Sequence, residues 1–207
     1  MTVKIKQCLG NLFKRTKKFE GKSVSPKAIK ILETRMELPV PTHLKAILIP
    51  EEYRVDTLRL KGKIRCTCGC AEMKLKTWPK VKRGEIKVQE YHGSLALNVM
   101  GECTICGKIY ELFDASKHGY DGLVCHEYAA VSNEELCDCC CGNCGKDAFI
   151  VQVDIDTEEP EQFIEEVVED ASDEFQPEDY VDAFGGIRMI MRCKNCGKSI
   201  QMEMETA

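Results

Sequence analysis

Three turns in this 207-residue chain share one pattern: Cys103-Thr-Ile-Cys106-Gly107-Lys108, Cys141-Gly-Asn-Cys144-Gly145-Lys146 and Cys193-Lys-Asn-Cys196-Gly197-Lys198. A Cys-x-x-Cys-Gly turn presents two thiolates to one ion, and its glycine lets backbone amides turn toward sulfur. Two such turns brought face to face give the tetrahedral four-sulfur shell that zinc favours. A fourth turn, Cys66-Thr67-Cys68-Gly69-Cys70, is irregular and offers three sulfurs for two places.

Alignment within the chain decides between them. Cys144 is followed by Gly145 and, five positions on, by the large apolar Phe149; Cys68 is followed by Gly69 and, five positions on, by Met73. Cys68 therefore matches Cys144, Cys70 matches the non-ligand Lys146, and Cys66 supplies the partner thiolate across a one-residue spacer. The expected metal ligands are Cys66, Cys68, Cys103 and Cys106 at one site and Cys141, Cys144, Cys193 and Cys196 at the other, for two Zn2+ per chain. Replacement of Cys66 or Cys68 by Cys70 stays open as the alternative. Each four-thiolate zinc site carries a charge of −2 relative to neutral thiols, which Lys108, Lys146, Lys198, Arg65 and Lys194 would offset locally.

Six of the fourteen cysteines remain: Cys8, Cys70, Cys125, Cys137, Cys139 and Cys140. A third site from Cys125, His126, Cys137 and Cys139 matches no knuckle spacing, so surplus or buried thiols are the expectation. The nine residues His118-Gly-Tyr-Asp-Gly-Leu-Val-Cys-His126 hold His, Asp, Cys and His, a set able to act as acid, base or nucleophile. No second motif supplies a substrate-activating partner, and the segment reads as a turn-rich linker packed through Tyr120, Leu123 and Val124.

The elements that must position the cysteines show a period of two. Leu58, Leu60 and Ile64 lead into Cys66, and Met73 and Leu75 follow. Leu95, Leu97 and Val99 approach Cys103, and Ile109, Leu112 and Phe113 leave Cys106. Phe149, Val151, Val153 and Ile155 follow Cys144; Ile187, Met189 and Met191 precede Cys193; Ile200, Met202 and Met204 follow Cys196. These are half-buried strands. The order cysteine pair, strand, insert, strand, cysteine pair, strand occurs twice, so each copy supports the other. Upstream, Ser25-Pro26 opens a helix over Pro26–Met36 that Pro39 and Pro41 end. Ala46–Ile49 reads as β and Pro50-Glu51-Glu52 as a turn.

These motifs resemble the zinc-ribbon (rubredoxin-knuckle) class over Leu58–Phe113 and Cys141–Met204. More loosely, the whole chain is similar to uncharacterised bacterial and phage proteins with tandem zinc ribbons. The resemblance implies a fold and structural metal but no activity. Departures are the one-residue spacer at Cys66/Cys68 and the long inserts, 34 residues between Cys68 and Cys103 and 48 between Cys144 and Cys193. The expected fold is mainly β, a small α+β protein of two tandem zinc ribbons with a short N-terminal helix and an acidic helical insert. Its expected parts are a basic arm (1–24), a helix and extended segment (25–57), ribbon one (58–116), a linker (117–136) and ribbon two (137–207) with an insert at 157–183.

Charge is segregated. Residues 1–35 hold ten Lys/Arg against Glu20 and Glu33, whereas residues 151–187 hold fourteen Asp/Glu and no Lys or Arg. In the acidic insert, Phe163, Ile164, Val167 and Val168 give an expected helix over Pro160–Ala171 one apolar face. The first residues, MTVKIKQCLGNLFKRTKKF, lack the apolar run of a secretory signal. No stretch approaches the roughly 20 apolar residues of a membrane span. A reducing cytoplasm is the expected compartment, where such cysteines bind metal rather than pair as disulfides. Closed four-thiolate sites point to a non-enzymatic adaptor with a protein partner and no membrane contact. Nucleic-acid binding through the basic arm is the alternative, set against overall acidity and few aromatics. Thiol redox chemistry is more remote, because its cysteine pair belongs at a helix N-terminus.

Overall fold

The computed structural model describes residues 38–168 and 175–206. The basic arm and the expected Pro26–Met36 helix lie outside the described residues. What is described is mainly β, in keeping with the alternating sequence.

The described residues form twelve strands: β1 (Leu48–Arg54), β2 (Arg59–Ile64), β3 (Glu72–Trp78), β4 (Glu85–Ile86), β5 (Gln89–Tyr91), β6 (Ser94–Ala96), β7 (Asn98–Cys103), β8 (Ile109–Asp114), β9 (Cys137–Cys139), β10 (Ala148–Asp156), β11 (Gly186–Cys193) and β12 (Ser199–Glu205). Ten of them share one sheet whose main path runs β4-β12-β11-β10-β3-β7-β8, while β5 and β6 form a separate hairpin. Pairing is antiparallel throughout the large sheet except between β12 and β4.

The two copies of the repeat meet inside this sheet. Along one edge β10 pairs with β11 of its own copy. Along the other it pairs with β3 at Ala148–Ile150 and then with β2 at Gln152–Asp156, both from the first copy. β3 is shared in the same way, pairing with β10 and then with β9 on the edge opposite β7.

Alternation sorts the faces. Leu60, Ile64, Met73, Leu75, Phe149, Val151, Val153, Ile155, Met189, Met191 and Met202 are buried in one core with Leu44, Ile47, Ile86, Leu97 and Phe113. Between them Lys61, Lys63, Lys74, Lys76, Asp154, Arg188 and Glu203 line the opposite, wetter face and pair with carboxylates or cations there. One buried and one solvated face is the arrangement an alternating antiparallel sheet favours.

One expectation is corrected. Pro50-Glu51-Glu52 is not a turn: β1 runs through it, with a bulge between Pro50 and Glu52. Among the described residues β1 pairs only with β2, and an edge strand at a bulge tolerates the absence of the N–H that proline lacks. The bulge presses on Gly62, where a Cβ would lie 2.7 Å from Ile49 O, so that position has no room for a side chain. The insert helix begins at Pro160 as expected, and its expected end at Ala171 lies outside the described residues. One α-turn, α1 (Pro160–Phe163), widens into a π-helical turn over Ile164–Val168, and residues 169–174 lie outside the described set.

The insert's apolar face is covered. Phe163, Ile164, Val167 and Val168 are buried with Phe175, Tyr180 and Ala183 in a second, smaller core, against which Tyr120, Leu123, Val124 and Val181 pack. The linker and the insert thus close on each other, as the packing role of Tyr120, Leu123 and Val124 anticipates.

Candidate metal centres

Each cysteine turn sits where a strand ends or begins, and the backbone makes the same two bonds in the three regular ones. Cys103 N donates to Lys108 O and Gly107 N to Cys103 O, at 2.9 and 3.0 Å; Cys141 and Cys193 repeat this with Lys146/Gly145 and Lys198/Gly197 at 2.8–2.9 Å. The knuckle glycines have φ between 70° and 75°, left-handed backbone that glycine adopts without Cβ strain. In the irregular turn the bonds are Cys66 N to Cys70 O and Gly69 N to Cys66 O, both 2.8 Å. Each ring is one residue smaller, and Cys70 occupies the position of the knuckle lysine, as the internal alignment expects.

The strands bring the turns together in pairs. The Sγ atoms of Cys66, Cys68, Cys103 and Cys106 lie within 4.8 Å of one another, and so do those of Cys141, Cys144, Cys193 and Cys196. In both tetrads the first cysteine of each knuckle is buried, and the second is exposed except for half-buried Cys144. The close contacts follow one plan: Cys66–Cys106 at 3.4 Å and Cys68–Cys103 at 3.6 Å, matched by Cys141–Cys196 and Cys144–Cys193 at 3.5 Å. A disulfide would need about 2.05 Å. A tetrahedral ion with metal–sulfur bonds of about 2.3 Å needs sulfur–sulfur edges of about 3.8 Å. The spacing fits a cation between the sulfurs and not a bond between them.

Electrostatics agree. The Cys68 amide and the Tyr110 hydroxyl, 3.1 Å from Cys66 Sγ, hold the Cys66 thiol down at about 6. The Asn143 side chain and the Lys198 amide do the same for Cys196, also at about 6. The Cys70 amide favours a thiolate at Cys68, but the Cys66 sulfur, burial, and the Cys103 and Cys106 sulfurs outweigh it and push that thiol up to about 12. Sulfurs this close cannot all ionise without a positive charge among them, which a divalent ion would supply.

Cys70 is buried outside the tetrad. Its Sγ accepts from Glu72 N at 3.3 Å and lies 3.5 Å from Thr104 Oγ1. Cys125, His126, Cys137 and Cys139 do not come together: among the described residues only the two tetrads gather three or more such groups. Cys137 and Cys139 are the ends of β9 on β3, while Cys125 and Cys140 are exposed. Burial pushes the Cys139 thiol up to about 12, the state of a packed, inert thiol.

The His118–His126 segment is divided in the same way. Cys125 and His126 face solvent. His118 is buried and stacks on His43, ring centroids 3.6 Å apart and 7° from parallel, with Phe113 and Phe184 around them. His118 Nδ1 accepts from Asp114 N at 2.9 Å, and His43 Nε2 donates to Leu112 O at 3.2 Å. His43 was not singled out in the sequence, where it stands alone in Pro41-Thr-His-Leu44; nor was Tyr110, which reads only as a strand residue.

Comparison with known protein families, with curated proteins and with solved structures gives no match. Two cysteine tetrads able to hold metal are thus what the fold establishes about the site. Among the described residues no helix is long and apolar enough to cross a membrane.

Proposed function

We propose that this is a zinc-ribbon protein whose two centres each hold structural Zn2+, and that the unit they stabilise is a non-enzymatic scaffold for a protein partner in the cytoplasm. The carrying observation is closure: each tetrad supplies four sulfurs, so no ligand position is left for water or substrate, which is the mark of a structural rather than a catalytic zinc site. The insert's apolar face is covered, so it offers no contact surface. Ile105 and Ile109, 77% and 60% exposed, stand at the tip and foot of the knuckle of the first centre and are the best apolar candidates.

Native mass spectrometry of the purified chain tests the metal reading. The expected result is two zinc ions, with chelation abolishing the near-UV spectrum, because structural zinc contributes on the order of 10 kcal/mol to folding. Iron, which also accepts four thiolates, would announce itself by visible absorption and would overturn the zinc assignment. A retained protein that Ile105→Asp releases would support the scaffold reading.

A second reading, nucleic-acid binding, is favoured by residues 1–35, which carry ten Lys/Arg against two Glu. Against it, Arg59, Lys61, Lys63, Lys74, Lys76 and Arg188 on the open sheet face already face carboxylates. Salt-dependent retention on DNA that disappears without residues 1–24 would favour this reading. Thiol redox chemistry finds no support, since the cysteine pairs sit in turns between strands.

A further inference from the structure

The two centres are built to one plan with one exception. The Cys66–Cys68 knuckle lacks a residue, and a hydroxyl stands opposite it. Tyr110 lies on β8, four residues after Cys106, and its ring turns back across the centre. Its oxygen is 3.1 Å from Cys66 Sγ, 3.3 Å from Thr67 N and 3.2 Å from Thr67 Oγ1. Thr67 is the whole spacer of the shortened knuckle. The phenol accepts from the Thr67 amide and has one proton of its own, which goes to the sulfur, the charged acceptor. Lys108 Nζ lies over the Tyr110 ring, 5.3 Å from its centroid, a cation–π contact.

The second centre serves as an internal control. The knuckle opposite is regular there, Cys141-Gly-Asn-Cys144, and the residue four after Cys196 is Ile200, which is buried in the core. The other two knuckles have Glu72 and Ala148 at that position. A hydroxyl thus appears once in four knuckles, opposite the one that is short. In a two-residue spacer there is one more backbone amide within the turn. In the short turn Cys66 Sγ keeps the Cys68 amide at 3.5 Å, a long contact from a residue that is itself a ligand.

We propose that Tyr110 is a positioning residue of the first metal centre, its hydroxyl tying the one-residue spacer Thr67 to the Cys66 sulfur where the knuckle is short. This rests on the reading of the tetrads as zinc sites. By bonding Thr67 and Cys66 together it holds the spacer in the one conformation that aims both sulfurs at the ion, and it donates to the thiolate that carries the charge. Outer-shell donors of this kind change metal affinity by about 10- to 100-fold when removed.

The test uses the full chain with Tyr110→Phe, which keeps the ring and removes the hydroxyl. Titration with a chromophoric chelator should show one of the two zinc ions bound about 10- to 100-fold more weakly than in the wild type, and the other unchanged. With cobalt substituted for zinc, the sulfur-to-metal charge-transfer band of the weakened centre should shift, which a packing defect remote from sulfur would not cause. A glycine inserted between Cys66 and Thr67 in the Tyr110→Phe background should restore the affinity, because a regular two-residue spacer, as in the second centre, stands without the tether. If Tyr110→Phe alone does not fold, the lengthened variant decides: recovery of two zinc ions supports the role, and continued failure overturns it. Unchanged affinity of both ions in Tyr110→Phe overturns the role of Tyr110 alone. A wild-type protein that binds no zinc at Cys66, Cys68, Cys103 and Cys106 overturns the metal reading along with it.

Discussion

Lys194, inside the last knuckle of the second centre, places its Nζ 2.7 Å from Oε1 of Glu72, the first residue of the strand that leaves the first centre. Glu72 is also bound to the first centre through its backbone: its carbonyl accepts from Thr104 N at 3.1 Å and Thr104 Oγ1 at 3.2 Å, and its amide donates to Cys70 Sγ. One residue therefore touches both centres. Both partners of the ion pair are substantially exposed, so the pair itself contributes at most about 1 kcal/mol. The stronger link is the strand pairing beside it, Phe149 opposite Met73 and Ile150 opposite Glu72.

A shared sheet predicts a shared transition. Calorimetry of the zinc-loaded protein should give one unfolding event for the large sheet, where independent tandem units would give two. Cys106→Ser, which opens the first centre, should lower the melting temperature of that single event and weaken zinc at the second centre as well. Lys194→Met should shift it only slightly. Two resolved transitions, with the second centre indifferent to Cys106→Ser, would show that β10 does not couple the copies.

At the irregular knuckle, Cys68→Ser should leave one zinc per chain and Cys70→Ser two. The structure supports this because Cys68 Sγ lies 3.6 Å from Cys103 Sγ, while Cys70 takes the backbone place of the knuckle lysine. Elemental analysis of both variants reads the outcome directly. Loss of zinc in Cys70→Ser alone would transfer the ligand role.

The cysteine turns and the strands beside them were legible because both are local: a spacing, a glycine and a period of two. Cys68 could be preferred to Cys70 for the same reason, since Met73 and Phe149 keep the register of the two copies. What was not legible is long-range. No local pattern says that β10 will divide one edge between β3 and β2, or that Thr77 and Cys137 will be neighbours across β3 and β9. The alternation Leu95, Leu97, Val99 reads as one strand but falls into β6 and β7, with Leu97 buried between them. Pro50 signals a turn only if the strand is not at an edge, and edge position is a property of the sheet. Tyr110 shows no cysteine-like signal, because its role depends on the knuckle opposite.

The stacked histidines predict a pH dependence. Burial, then the nearby His118, lower His43 to about 3, and burial lowers His118, against which Glu111, Asp114 and Asp182 pull upward and Lys117 downward. In the unfolded chain both titrate near 6.5. Below that pH the unfolded state binds more protons than the folded one, so stability is retained above about 6.5 and falls as pH drops toward 3. Urea midpoints at pH 7.5 and 5.5 should differ by more in the wild type than in His43→Gln. Because acid also releases thiolate-bound metal, zinc content is measured in parallel, and the comparison is made between samples of equal loading. An equal pH response in both proteins would mean that His43 is not held neutral.

The acidic insert gives the sharpest contrast between what its composition suggests and where it lies. Fourteen Asp/Glu over 151–187 with no Lys or Arg are the composition of a solvated segment. Yet Phe163 is 2% exposed and meets Phe175 edge-on at 6.3 Å, and the cluster they form is where Leu123 and Val124 of the linker pack. The insert is thus the cover of the linker, although it is not part of the main core that the cysteine turns anchor. Replacing 157–183 with a Gly/Ser linker should therefore leave two zinc ions in place but uncover Tyr120, Leu123 and Val124. The expected outcome is dye binding to apolar surface and faster proteolysis near residues 117–126. Phe163→Ala should cost about 3 kcal/mol locally, the usual range for a buried phenylalanine, readable as faster amide exchange in the linker with no change in metal content. Loss of zinc on deletion would mean that the smaller core supports the second centre after all.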